Sequence, residues 1–223
     1  MSKIQDTKGR EDDNSGYVRL FGNAALGHLV SRVHATVIRS GNELESLLEQ
    51  ATSTSLKLDL ADAVTRAKTS GASGMRVVFS PKIKKAASGY GIRGDIVAFD
   101  YDNEVLSVIE VKDGDTFDTK KASGELESLN ATAKDLADQT HFNARIFFCS
   151  FNQTDKNAIV FGAKGRFSTQ QVMTGRELCD ILGINFDQFV AARKQEQAGN
   201  LEYFLGQLVS VQEISARLRQ LLK

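Results

Sequence analysis

Two cysteines, three histidines and no apolar run approaching eighteen residues set the first limits on this 223-residue chain. A helix needs about twenty consecutive apolar residues to cross a bilayer, so no membrane partner is expected. Cys149 falls on a predicted strand and Cys179 in a predicted helix, without metal-ligand spacing, and both read as reduced core residues. His28 and His34 stand six apart on a predicted helix, not the i, i+4 spacing with which two imidazoles share a metal, and His141 opens a loop. The opening residues lack the charged-then-apolar pattern of an export leader, so the expected location is cytoplasmic. Ser70-Gly71-Ala72-Ser73-Gly74 and Gly162-Ala163-Lys164-Gly165 lack the Gly-Lys-Ser/Thr of a phosphate loop. No Ser, His and Asp arrangement suggests acyl transfer, and no internal repeat is visible.

What remains is a chain of ordinary globular composition, 41% hydrophobic, long enough to bury a sizeable core in one domain with an extension. Its most informative stretch is residues 93–112, Arg-Gly-Asp-Ile-Val-Ala-Phe-Asp-Tyr-Asp-Asn-Glu-Val-Leu-Ser-Val-Ile-Glu-Val-Lys. Val, Ile, Phe and Tyr dominate both arms, and Asp102-Asn103 supplies a two-residue turn. With that turn Tyr101 faces Glu104, and counting outward sets Asp95 opposite Glu110. Facing residues share one side of a sheet, their Cβ atoms about 5 Å apart. Lys112, two residues beyond Glu110, lies on that side too. Two carboxylates and one ammonium thus meet at the end of an apolar ribbon, a grouping suited to a divalent metal ion with a water beside it.

An ordinary cross-strand ion pair at a sheet margin would also place Glu-x-Lys on a strand. The hairpin argues against that reading. Val97, Phe99, Leu106 and Val108 on one side, and Ile96, Ala98, Val105, Ile109 and Val111 on the other, make both faces apolar, as in central strands. Charged groups at the end of a central strand are costly unless they are paired or bind metal.

Gly94-Asp95 and Glu110-Val111-Lys112 resemble the two halves of the PD-(D/E)xK nuclease motif, with Gly94 where the motif carries Pro. The run from Glu110 to Lys121 resembles what type II restriction endonucleases carry there. The resemblance spans roughly residues 40–152. It implies an α/β restriction-endonuclease-like core, α-β-β-β-α-β, in which helices flank a mixed sheet with the site at one edge. It implies Mg²⁺ held by Asp95, Glu110 and the backbone carbonyl of Val111, with Lys112 orienting the attacking water. It also implies double-stranded DNA as substrate, with a 5′-phosphate and a 3′-hydroxyl as products. A Glu on the first core helix often faces the metal in this family, and Glu45 in Gly41-Asn42-Glu43-Leu44-Glu45 fits that place. Glu45 could equally complete a capping box with Asn42.

The rest of the chain follows that order. Residues 22–40 have helical apolar spacing; Gly41 then interrupts, and Asn42 starts a short helix to Ala51. Residues 75–79 read as a strand closed by Ser80-Pro81, and Lys120 to Gln139 as a helix with Leu126, Leu129, Ala133, Leu136 and Ala137 on one stripe. Ala144 to Phe151 reads as a strand, and so does Ala158 to Phe161. Thr174 with Glu177 caps a helix ending at Gly183, and Ser210 with Glu213 starts another running to the end. Residues 187–197 and 200–209 add two amphipathic segments. The expected organisation is a polar, mobile segment 1–16, a nuclease core 17–173 and a helical extension 174–223.

Net charge is zero, which gives no global field favouring nucleic acid. Locally, Arg76, Lys82, Lys84, Lys85 and Arg93 sum to plus five with no acidic residue between the two arginines. Lys164-Gly165-Arg166 is a second acid-free segment, and Lys120 and Lys121 begin the helix after the motif. These residues read either as solvated loops and helix ends or as phosphate contacts, which add affinity but little sequence selectivity. Asp113, Asp115 and Asp118 read as loop and cap residues, or as indirect contacts to a second metal. A chain with one site cuts both strands as a homodimer or by successive nicks. A repair or junction-resolving nuclease of the same core, or a non-catalytic DNA-binding module, remains the alternative to a restriction enzyme.

Overall fold

β-Branched and aromatic residues concentrate in the segments that become strands, and amphipathic spacing marks the helices around them. The computed structural model describes residues 2–80, 94–114, 119–195 and 197–222, except for the side chains at positions 42, 119, 120 and 121. In chain order the elements are α1 (Lys3–Asp6), α2 (Gly16–Phe21), α3 (Ala24–Ala51), α4 (Leu60–Ala67), β1 (Met75–Phe79), β2 (Ile96–Asp100) and β3 (Val105–Lys112). They continue as α5 (Thr119–Thr140), β4 (Asn143–Ser150), α6 (Lys156–Gly162), β5 (Val172–Thr174), α7 (Gly175–Leu182), α8 (Phe186–Lys194), α9 (Gln197–Ser210) and α10 (Gln212–Leu221). Two compact units emerge, Leu44–Phe186 and Met1–Glu43 with Asp187–Lys223, limits that differ from the three segments expected.

The first unit holds a mixed five-stranded sheet of order β1-β2-β3-β4-β5. β1, β2 and β3 pair antiparallel, whereas β3–β4 and β4–β5 pair parallel. β3 is therefore central, and five of its eight residues are buried. Phe99, Leu106, Val108, Leu129, Leu136 and Phe148 are almost wholly excluded from water in one cluster, each contributing about 1.5–3 kcal/mol of transfer free energy. α5 packs on β3 and β4, and α4 on β1. α7 starts with the capping box expected of Thr174 and Glu177 and ends at Gly183 in the left-handed region.

Three local expectations are corrected. Gly41 does not interrupt its helix, because α3 runs unbroken to Ala51. A helical glycine costs about 1 kcal/mol relative to alanine, less than is gained by burying Leu44 and Leu48 on the following turns. Ala158 to Phe161 lies in α6 rather than in a strand: the Asp155 side chain accepts the Asn157 N–H at 2.9 Å and starts a helix that buries Ile159 and Gly162. Ser210 closes α9, its hydroxyl donating to the Gln207 carbonyl at 2.7 Å, and α10 begins after Val211 without a side-chain cap.

In the second unit α1 lies against α9, where Asn200 Oδ1 accepts from the Ser2 hydroxyl at 3.1 Å and the Ile4 N–H at 3.3 Å. Lys3 and Arg39 both pair with Glu43. Its described core is small, with Ile4 and Leu29 buried, whereas Leu201, Leu205 and Val209 stand exposed at four-residue spacing along α9. Among the described residues no helix is long and apolar enough to cross a membrane.

Candidate active site

The two arms of the β2–β3 hairpin meet in the expected register. Ile96 pairs with Ile109 and Asp100 with Val105, and Asp95 and Glu110 follow just outside this paired segment, close enough that the Asp95 charge acts on Glu110. The Asp95 N–H donates to the Ile109 carbonyl at 2.9 Å, and its own carbonyl accepts from the Ser80 N–H at 2.7 Å. The connecting loop is longer than the two-residue turn read from sequence. It comprises Tyr101–Glu104, with Glu104 at φ 51° and the Asp100 side chain accepting the Asn103 N–H at 3.2 Å. Lengthening a loop symmetrically about its centre leaves the register unchanged, so Ile96 still faces Ile109.

Backbone and side chains converge on this end of the sheet. Asp95 Oδ2 accepts the Val111 N–H at 2.7 Å. Because backbone groups alternate along a strand, Ile109 and Val111 both turn their polar groups toward β2. Glu110 is 6% exposed and is the one carboxylate fully buried among the described residues. Lys112 Nζ donates to Glu110 Oε1 and lies 3.4 Å from Glu125 Oε1 on α5. Glu45 reaches the cluster from α3, near enough for its charge to act on Asp95 and for the Glu110 charge to act on it. The unbroken α3 excludes a helix start at Asn42, and with it the capping-box reading of Glu45. Gly94 is held close: a Cβ there would lie 2.9 Å from Val108 Cγ1 and 3.8 Å from Leu129 Cδ2.

Burial and like charge act together on the carboxylates. Burial pushes Asp95 up to about 6, with the Glu45 and Glu125 charges adding to it and the Val111 N–H and Lys112 opposing it. Burial and then the Asp95 charge push Glu110 up to about 7, against the pull of Lys112. Glu45 is raised chiefly by burial and by Glu110. Burial opposes the Lys112 charge, but Glu110, Glu125 and Asp95 outweigh it and hold the ammonium above its ordinary range. Such a cluster has an excess of buried negative charge that either protons or a cation must neutralise. Among the described residues no three His, Cys, Asp and Glu side chains form a ready-made metal cage. Two hard carboxylates and a backbone carbonyl still suit Mg²⁺, which keeps several waters and takes one or two carboxylates.

Not every residue singled out in the sequence joins this cluster. Lys82, Lys84, Lys85 and Arg93 lie outside the described residues, as do Asp115, Asp118 and the side chains of Lys120 and Lys121. Lys164 and Arg166 are exposed in the turn after α6, with Lys164 at φ 56°, and neither contacts Asp95, Glu110 or Lys112. Asp113 closes a loop, its carbonyl and carboxylate both accepting from Asn152 Nδ2. His34 meets the Tyr17 hydroxyl and His28 lies near Asp13, both outside the sheet-bearing unit. Glu125 was not singled out from sequence. It sits four residues before Leu129, on the apolar stripe of its helix, and a carboxylate on such a stripe was the available signal.

The fold and the cluster define an α/β protein with buried carboxylates and a lysine at the open end of a central hairpin. The chain is 39% identical over 225 residues to the type II restriction enzyme HhaII of Haemophilus parahaemolyticus, covering 99% of each protein. It belongs to this type II restriction enzyme family. No protein-family model matches it, and no solved structure does.

Proposed function

We propose that this protein hydrolyses phosphodiester bonds of double-stranded DNA at a specific short sequence, using Mg²⁺ at the Asp95–Glu110 cluster. The observation that carries the reading is the half-buried Asp95 and the buried Glu110 together at one end of the hairpin, with Lys112 on Glu110. In this reading α3, β1, β2, β3, α5 and β4 constitute a restriction-endonuclease-like, PD-(D/E)xK core.

Asp95, Glu110 and the Val111 carbonyl are the groups that would hold Mg²⁺. When bound, the ion lowers the pKa of a coordinated water and offsets charge growing on the phosphate oxygens. Asp95 is oriented for this by the Val111 N–H, and Glu45 adds a further carboxylate beside it. Lys112 directs its ammonium at the attacking water and stabilises the same negative charge. Lys82, Lys84, Lys85, Arg93, Lys120, Lys121, Lys164 and Arg166 supply phosphate contacts along the duplex. The exposed Leu201, Leu205 and Val209 of α9 offer an apolar stripe for pairing with a second copy, and a two-fold homodimer would read a palindrome.

A plasmid digest with Mg²⁺ tests the reading. Discrete bands from the wild-type protein are expected, and Asp95→Ala or Glu110→Ala should cost several orders of magnitude in rate while binding to the target in Ca²⁺ persists. Wild-type cleavage by Asp95→Ala would remove the metal-site assignment, and cuts at unrelated sequences would remove the restriction reading. Light scattering of the protein on a cleavable duplex tests the homodimer.

A further inference from the structure

Among the described residues Lys112 has two carboxylate partners, which arrive on different elements. Glu110 comes from the same strand, two residues earlier, and Glu125 comes from α5 at 3.4 Å. Under the proposed function, the Glu110 carboxylate that Lys112 now holds through Oε1 is also a ligand for the divalent ion. An ammonium and a divalent cation on one carboxylate repel each other, and at a few ångströms in a partly buried site that repulsion is several kcal/mol. Arrival of the ion therefore favours an ammonium moved away from Glu110.

Glu125 is placed to receive it. Its helix is fixed on the sheet by the buried Ala122 and Leu129, three residues before it and four after. Its side chain is 29% exposed, close to the 31% of Lys112, so the pair sits at the rim of the cluster rather than beneath it. From Glu125 the ammonium stays beside the site, clear of the metal ligands. We propose that Glu125 is a positioning residue: it takes over the Lys112 ammonium from Glu110, freeing that carboxylate for the metal while keeping Lys112 at the reacting phosphate. This inference rests on the metal-dependent reading of the cluster.

Calorimetric titration of the full chain with Ca²⁺, beside single-turnover cleavage in Mg²⁺, tests it with four proteins: wild type, Glu125→Gln, Lys112→Ala and the double variant. Glu125→Gln removes the alternative carboxylate and leaves the Lys112 ammonium on Glu110, so Ca²⁺ affinity should fall about tenfold and the single-turnover rate about 10–100-fold, the scale seen when a partner of a metal ligand is lost. In the Lys112→Ala background the same substitution should change Ca²⁺ affinity less than about twofold, because no ammonium remains to compete. Lys112→Met, which keeps the apolar stem, replaces Lys112→Ala if that variant does not fold. Equal weakening of Ca²⁺ binding in both backgrounds would overturn the inference, since Glu125 would then act on the metal directly. Unchanged affinity in Glu125→Gln with Lys112 present would overturn it as well. If the wild-type protein fails to bind Ca²⁺ and Asp95→Ala cuts as fast as wild type, the metal-dependent reading itself falls, and the Glu125 role with it.

Discussion

Replacing Asp95 by Asn should make the metal-free protein more stable while it abolishes cleavage. Asn keeps an oxygen to accept the Val111 N–H and a volume close to that of Asp, but carries no charge. The folded-state pKa of Asp95 is about 6, above the value of about 3.9 expected unfolded. The native state therefore holds the Asp95 proton more tightly, and the stability this confers is complete below pH 4 and lost as pH rises through 6. At pH 8 the ionised carboxylate costs the fold about 3 kcal/mol, from roughly two units at 1.36 kcal/mol each. Relief of that cost should raise Tm by about 5–10 °C in a chain of this size. Differential scanning calorimetry in EDTA at pH 8 and pH 4.5 measures it, and at the lower pH the advantage should shrink to about 1 kcal/mol or less. Adding Mg²⁺ at pH 8 should reverse the order, because the wild-type site gains binding energy that Asp95→Asn cannot. A lower Tm for Asp95→Asn at pH 8, or an equal gain at both pH values, would refute the reasoning that burial of this charge is what strains the site.

Three further outcomes are expected. Lys112→Ala should slow cleavage even at saturating enzyme in single-turnover assays; full recovery of rate there would reduce Lys112 to a phosphate contact. The double variant Lys164→Ala/Arg166→Ala should weaken binding to all duplexes alike and lower the slope of log K against log salt by about 1.8, from two phosphate contacts at 0.9 each; an unchanged slope would free both residues of that role. Gly175→Ala should place a Cβ 2.1 Å from the Phe151 carbonyl oxygen and destabilise the sheet-bearing unit by about 1–3 kcal/mol or more, measured by urea unfolding.

Legibility in the sequence followed the range of the forces involved. The hairpin register could be counted residue by residue because pairing in a hairpin is local, and Ile96 opposite Ile109, which brings Asp95 and Glu110 to one end, needed only a turn centre. β1 and α5 were likewise visible in strongly patterned segments. Gly41 misled because propensity is a small term beside the burial of Leu44 and Leu48, which depends on a sheet distant in sequence. The Ala158–Phe161 run misled because β-branched and aromatic residues suit a short buried helix as well as a strand. Glu125 escaped because its role exists only once α5 lies beside β3, a contact no spacing rule within the helix encodes.

Gly94 carries a consequence for how this site could be altered. A proline ring at this position, as in the motif the sequence resembles, would press on Val108 Cγ1, and Val108 stands two residues before Glu110 on the same side of β3. Valine has no long flexible arm to swing away, so Val108 would have to shift or be replaced by a smaller residue. Positions 94 and 108 therefore form a matched pair, beside the acidic end of the hairpin, in which one residue grows most easily when the other shrinks.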